Sequence, residues 1–465
     1  MKIYNTLTGK KEIIKFPRKR TTKLFVCGPT VYDYSHIGHA RTYLFFDAFV
    51  KYLRQKGIKV FYLQNITNID DKIINRARKE KKEPLKLADF YEKEYLKDME
   101  ALKINSVNQY ARATDFIPEI VSQVQRLQKK GYAYLIEDGI YYDIKKFKNY
   151  GKLSGRTILQ AEDAVSRIDE TKNKRNKGDF CLWKFKKPGE PFWQTALGKG
   201  RPGWHIEDTA ITEKFFGPCY DLHGGGQDLI FPHHEAEIAQ MEAISGKSPL
   251  ARYWLHSGML TVKGQKMSKS LGNFITIKDF LKNYNQETLR LMVFQTLWRS
   301  PFNYSKEKAE QAKNSLQTIN EFLKRLLFFK GKKAKSVKKI ILKSEKEFFK
   351  NLDDDFNTPN ALGVIFSLIR KINPLIEKGK LNKEDIQHLL KFFKKINEIF
   401  EIIVFPASKE ELPAEIKKLA EKRLEYRRKK NWQKADEIRN QIEKLGFLVQ
   451  DTLQGQRILK KEENR

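Results

Sequence analysis

Two short stretches of this sequence carry side chains with the chemistry of a reaction centre. The first is FVCGPTVYDYSHIGHAR, residues 25–41. Cys27 closes an apolar run in a chain with only 3 Cys, and His36 and His39 follow with Gly38 between them. Two imidazoles at i and i+3 on a first helical turn point the same way. Gly38 leaves room for a flat ring or a phosphate, and a helix N-terminus adds backbone donors and a positive dipole end. The set suits a triphosphate attacked at its α-phosphorus. The second stretch is KGQKMSKSLGN, residues 263–273. Lys266 and Lys269 flank Met267 and Ser268 in a glycine-bounded loop. Lysines there can clamp β- and γ-phosphates and neutralise charge as pyrophosphate leaves.

The elements around the first stretch place it at a sheet edge. Residues 23–33 read as a β-rich run, 38–57 as a helix and 58–67 as a buried strand. The helix takes its apolar face from Ala40, Tyr43, Leu44, Phe46, Ala48, Val50 and Leu53, and Gly57 stops it. Strand, helix, strand at this spacing is a right-handed βαβ unit, whose ligands sit beyond the carboxyl ends of the strands. Cys27, His36, His39 and Thr67 fall at that edge. Helices are expected at 84–103 and 114–130, and a hairpin at 132–144 turning on Asp138-Gly139. The polar stretch 162–179 reads as a mobile loop, and this middle region as an insertion. A strand, a glycine loop and a helix resume at 219–241. Beyond about residue 300 the pattern turns helical, with Ala309, Ala312, Leu316, Ile319, Phe322, Leu323 and Leu326 at helical spacing. Pro406 and Pro413 flank a linker, and helices are expected at 413–430 and 432–445.

Length and composition bound the reading. A chain of 465 residues predicts three or four domains. No apolar run is long enough for a membrane span, and the N-terminus lacks an apolar signal core. Three scattered Cys make no disulfide framework, so a reducing cytoplasm is the expected setting. Lys+Arg 90 against Asp+Glu 57 leaves +33, which favours a polyanionic partner. Residues 417–465 hold 15 Lys/Arg and 8 Asp/Glu, a small basic terminal module.

HIGH followed about 230 residues later by KMSKS resembles the class I aminoacyl-tRNA synthetases. NITNIDDKI (65–73), RPGWHIE (201–207), DLHGGGQDLIFPHHEAEIAQ (221–240), YWLHSGML (253–260) and LDDDFNTPNAL (352–362) sharpen the resemblance to the cysteinyl-tRNA synthetase family. ADEIRNQIEKLGFLVQDTLQGQR (435–457) is similar to that family's terminal domain.

The resemblance implies an α/β architecture: a Rossmann-type parallel-sheet catalytic domain with an insertion, then an α-helical bundle and a small C-terminal tRNA-binding domain. The expected boundaries are 1–115 and 201–303 for the catalytic halves and 116–200 for the connective insertion. The bundle is expected at 304–404 and the anticodon-binding domain at 405–465. It further implies ATP with Mg²⁺, L-cysteine and tRNA(Cys) as partners of a monomer. His36, His39, Lys266 and Lys269 are then catalytic, with Gly38 beside the nucleotide. Thr67, Trp204 and Asp228 would touch cysteine, with His223, His234 and Gly224–Gly226 close by.

Cysteine differs from serine in S against O, and a metal that prefers thiolate reads that difference directly. The family holds one zinc with two Cys, a His and a Glu, and the metal takes the substrate sulfur as a further ligand. Cys27, His233 and Glu237 match, with His233 and Glu237 at i and i+4 on one face of the helix after Pro232. The family's GWHIEC reads GWHIED here, so Asp208 stands where a second thiolate is expected. Carboxylate oxygen is a zinc ligand too. Cys219 could substitute only if its strand brings it near, and Cys181 is assigned nothing. Two rivals are a ligase that joins cysteine to an amino sugar and a non-catalytic tRNA-binding paralogue. The terminal module argues against the first, and the intact HIGH and KMSKS motifs against the second.

Overall fold

A computed structural model describes residues 1–156, 173–267, 271–329, 334–405, 413–452 and 455–460. The chain divides into two compact units. The first comprises 1–319, 337–368 and 387–403, and the second 320–336, 369–386 and 404–465.

A five-stranded parallel sheet organises the first unit. Its strands are β1 (Thr22–Val26), β2 (Val60–Ile66), β3 (Gln109–Arg112), β4 (Tyr220–Gly226) and β5 (Ala251–Ser257). Their order is β5-β4-β1-β2-β3, and every pairing is parallel. Helix α1 (Ile37–Gln55) crosses from β1 to β2. Helix α2 (Asp71–Glu80) follows β2, α3 (Ile206–Phe216) precedes β4, and α4 (Glu235–Ser245) joins β4 to β5. The chain runs from β1 to one side through β2 and β3, and returns on the other side through β4 and β5. The crevice between β1 and β4 is therefore the switch point where ligands bind in such sheets. The apolar positions expected to face inward on α1 are all buried, and Phe45, Phe49 and Tyr52 join them.

Between β3 and α3 the chain builds an antiparallel sheet of Ala133–Ile136, Gly139–Tyr142, Phe180–Phe185, Gly198–Pro202 and Trp193–Thr195, in that spatial order. The hairpin expected at Asp138-Gly139 turns one residue earlier. Ile136 pairs with Gly139, so Glu137 and Asp138 form the turn and Gly139 belongs to the strand. Its missing side chain serves packing, because a Cβ there would lie 2.4 Å from the Trp183 carbonyl oxygen. Of the expected loop 162–179, residues 162–172 lie outside the described residues. The rest is tied down: buried Asp179 accepts hydrogen bonds from the Tyr134 hydroxyl (2.6 Å) and from the Asn176 (3.0 Å) and Ile144 (3.0 Å) backbone N–H groups.

The helical stretch contains Lys306–Phe328, Lys338–Asp353, Thr358–Glu377 and Lys383–Phe400. The apolar stripe from Ala309 to Leu326 is buried throughout. In the second unit, helices Ala414–Arg428 and Trp432–Lys444 are followed by an antiparallel hairpin of Phe447–Thr452 and Gly455–Lys460. Ala420, Ile438, Ile442 and Val449 form its core. The expected linker residues 406–412 lie outside the described residues. Among the described residues no helix is long and apolar enough to cross a membrane.

Candidate active site and metal centre

β1 delivers Cys27 to the switch point, and Gly28 lets it arrive. A Cβ on Gly28 would lie 1.8 Å from the Asn65 carbonyl oxygen on neighbouring β2. Only glycine permits that approach. Beyond it the two chains stay joined, because Thr67 N donates to Pro29 O and Val31 N to Thr67 O, each at 3.1 Å. α1 then begins with a cap made of histidines. His36 Nδ1 accepts from the backbone N–H groups of Gly38 (3.1 Å) and His39 (3.3 Å), and His39 Nδ1 accepts from His36 N (3.3 Å). An Nδ1 that accepts carries no proton, so both rings are Nε2–H tautomers. Burial pushes His36 down to about 4 and His39 well below the usual range, with Lys72 lowering His39 further. Both therefore act as neutral N–H donors. The cap is fastened to the chain beyond the second motif: Ile37 N donates to Ile275 O (3.1 Å) and Ile277 N to Ser35 O (2.9 Å).

A cavity of about 330 Å³ opens at this corner. Cys27, His36, Gly38, His39, Trp204, Asp228 and Met267 all line it. Lys72 lines it as well, with its ammonium 5.8 Å from the Tyr32 ring centroid and 5.7 Å from that of Trp204. Thr67 does not. Its hydroxyl donates to buried Glu207. The Lys266 backbone pairs with Thr261. The Lys266 side chain and all of Lys269 lie outside the described residues.

Buried acids gather around Cys27 and His233. His233 Nε2 lies 3.6 Å from Cys27 Sγ, 2.9 Å from Asp208 Oδ2 and 3.3 Å from Glu237 Oε1. These four residues come from the end of β1, from α3, from the turn before α4 and from α4 itself. The sequence reading puts His233 on the helix with Glu237; the helix proper begins at Glu235, and the preceding irregular turn still brings the two together. The other ring nitrogen, His233 Nδ1, is 2.9 Å from His205 Nδ1, and the Trp204 ring stacks on His233 at 4.4 Å. Asn65 Nδ2 donates to Asp208 Oδ1 at 2.5 Å.

Cys27, Glu207, Asp208 and Glu237 are all buried, and among the described residues no lysine or arginine pairs with the three carboxylates. Burial, and then the neighbouring carboxylates, push Cys27, Glu207 and Glu237 well above their usual ranges. Among the described residues, neither oxygen of Glu237 has a hydrogen-bond partner. Asp208 and Glu237 converge on one imidazole without a counter-charge, an arrangement compatible with a divalent cation. Cys27, Asp208 and His233 place one ligand atom each within 4.8 Å of one another, as a shared ion requires.

His223, His234 and Glu237 form an adjoining group. His234 Nδ1 lies 2.8 Å from His256 Nε2, and His223 Nδ1 lies 2.7 Å from the Tyr220 hydroxyl. Cys219 precedes β4 at the end of the strand away from the crevice, partly exposed, and belongs to neither group. Cys181 is buried in the inserted sheet.

Residues 13–314 match the class I (C) tRNA synthetase catalytic domain, 347–404 a DALR domain and 409–458 the cysteinyl-tRNA ligase anticodon binding domain. A cysteine–tRNA ligase of Thermococcus gammatolerans is 44% identical over 98% of both chains. This chain belongs to the cysteine–tRNA ligase family. Another family member, from Thermoplasma volcanium, is 46% identical over 97% of this chain and 98% of its own. Among solved structures, Mycobacterium tuberculosis methionyl-tRNA synthetase with methionyl-adenylate superposes with a TM-score of 0.61 at 14% identity, over 82% of this chain and 89% of that one. Agrobacterium radiobacter leucyl-tRNA synthetase, in a ternary complex with tRNA, gives 0.62 at 10% identity, over 84% and 85%. At those identities the likeness is one of fold.

Sequence reasoning missed four residues of the site: Asn65, Lys72, His205 and Glu207. All lie inside the stretches that carry the family resemblance, each close in sequence to a residue with an assigned role. Their partners come from other elements, and no spacing within one stretch reveals them.

Proposed function

We propose that this chain activates L-cysteine with ATP and transfers it to the 3′ end of tRNA(Cys). The observation that carries the reading is a buried thiol, imidazole and carboxylate group, Cys27, His233 and Asp208, whose thiol-bearing residue also lines the cavity of the two-histidine helix cap. The cysteine carboxylate attacks the α-phosphorus of ATP, the bond to the β-phosphate oxygen breaks, and pyrophosphate leaves with Mg²⁺. The acyl group then passes from the adenylate to a hydroxyl of the terminal ribose, as the acyl–phosphate bond breaks and AMP leaves.

His36 and His39 donate their Nε2–H groups to the transferring phosphoryl oxygens. Lys266 and Lys269 hold the departing phosphates. Asp228 takes the substrate ammonium, and Trp204 walls the side-chain pocket. Cys27, Asp208, His233 and Glu237 would hold one zinc, which supplies a thiolate-preferring Lewis acid and so separates cysteine from serine. His205 supports that set by accepting the His233 Nδ1–H, which leaves His233 Nε2 as a lone pair for the metal. The basic 405–465 region reads the tRNA. Its match to an anticodon binding domain also argues against an amino-sugar acceptor.

Cysteine-dependent ATP–pyrophosphate exchange, with serine as control, tests the reading. Exchange with cysteine alone supports it. Equal exchange with both amino acids would remove the metal's selecting role, and exchange with neither would remove the activity.

A further inference from the structure

The substitution of a carboxylate for a thiolate at position 208 creates a problem that a buried amide beside it solves. A thiolate has one donor atom. A carboxylate has two, and zinc can expand from four ligands to five. If both Asp208 oxygens reached the ion, they would fill the position that an incoming sulfur needs.

Asn65 is 0% exposed at the end of β2, and its amide orientation is determined. The Gly28 backbone N–H can only donate, and it points at Asn65 Oδ1 at 2.5 Å. Nδ2 therefore faces the other way, 2.5 Å from Asp208 Oδ1 and 3.4 Å from Thr67 Oγ1. The two oxygens of Asp208 are thus divided. Oδ1 is occupied by the amide, and Oδ2 lies 2.9 Å from His233 Nε2, toward the ligand group. One side chain also ties Gly28, next to Cys27, to Asp208, so the ligands from β1 and α3 are set relative to each other.

We propose that Asn65 is a positioning residue that holds Asp208 to a single metal-facing oxygen and so keeps a coordination position for the substrate thiolate. The proposal rests on the reading that a metal occupies this group.

The test uses full-length protein loaded with Co²⁺, whose visible bands are strong in four-coordinate and weak in five-coordinate sites. Asn65→Leu should weaken those bands, reduce the sulfur-to-cobalt absorption that added cysteine produces, and lower metal affinity in chelator competition about 10–100-fold. In an Asp208→Cys background the same change should leave the bands as strong as before, because a thiolate has one donor atom and cannot chelate. Asn65→Asp keeps the acceptor for Gly28 and covers the case in which the leucine variant does not fold. Equal losses in both backgrounds would reduce Asn65 to a prop for the Gly28 turn. An unchanged spectrum in Asn65→Leu would overturn the proposal while leaving the metal reading intact, provided Asp208→Ala loses metal. Full metal content in Asp208→Ala would instead remove Asp208 from the ligand set, and the proposal with it.

Discussion

A histidine that caps a helix with its own ring nitrogen is fixed in tautomer as well as in place, and at His36 the cap makes stability depend on pH. Burial holds it at about 4, against roughly 6.5 in an unfolded chain. As pH falls through 6.5 the unfolded chain binds a proton there and the folded one does not. Stability is therefore lost from pH 6.5 downward, by about 2 kcal/mol at pH 5 from this residue alone, and the loss levels off below about pH 4. His36→Gln should narrow the difference in denaturation midpoint between pH 7 and pH 5; an identical difference in both proteins would mean that His36 does not titrate as argued. At the metal group, Asp208→Ala should lower zinc content and cysteine activation together, and Cys219→Ala should leave both unchanged. Metal analysis of the two purified variants decides the fourth ligand. Lys269→Ala should slow pyrophosphate exchange about 10²–10³-fold, the usual cost of losing one contact to developing charge. Unchanged exchange in a folded variant would take that lysine out of the mechanism.

At the scale of elements, the site depends on how closely β1 and β2 run. Gly28→Ala would set a methyl 1.8 Å from a backbone oxygen that has no freedom to move. The expected loss is about 3 kcal/mol, with the Cys27–Asn65 corner displaced. A thermal midpoint equal to wild type would show that the strands part easily. This corner is half legible in the sequence. The βαβ unit is readable because a parallel crossover writes itself as apolar strand, amphipathic helix, apolar strand within 45 residues. The cross-links are not, since Asn65 meets Asp208 across 143 positions. The inserted hairpin is readable but its turn falls one residue earlier than expected, because Gly139 looks like a turn residue and is a packing one. The terminal hairpin Phe447–Thr452/Gly455–Lys460 escapes a reading of the sequence. Its alternation is short, and its core comes from helices upstream.

At the scale of the whole molecule, charge and a separately cored terminal unit predict how RNA is engaged. A chain with a net charge of +33 should release many counterions on binding tRNA, so affinity should fall steeply with salt. The terminal helices and hairpin have their own apolar core, with Arg423 buried against Asp451 at 2.9 Å. A chain ending at residue 405 should keep cysteine-dependent pyrophosphate exchange and lose most tRNA charging, with a shallower salt slope in tRNA binding. Charging at the full rate by the shortened chain would show that the tRNA is read elsewhere.

The acids gathered around His233 would also make any metal uptake a proton-releasing event. Burial and the neighbouring carboxylates keep the Cys27 thiol protonated at neutral pH, yet ligation requires the thiolate. An ion entering the site must expel at least that proton. Its affinity then gains roughly tenfold for each pH unit and each proton displaced. Calorimetry in buffers of different ionisation heat counts the protons directly. Protein handled in mild acid would carry less metal than the same protein handled in mild base. A comparison of cysteine with serine made on it would then record the history of the sample as well as the selectivity of the site.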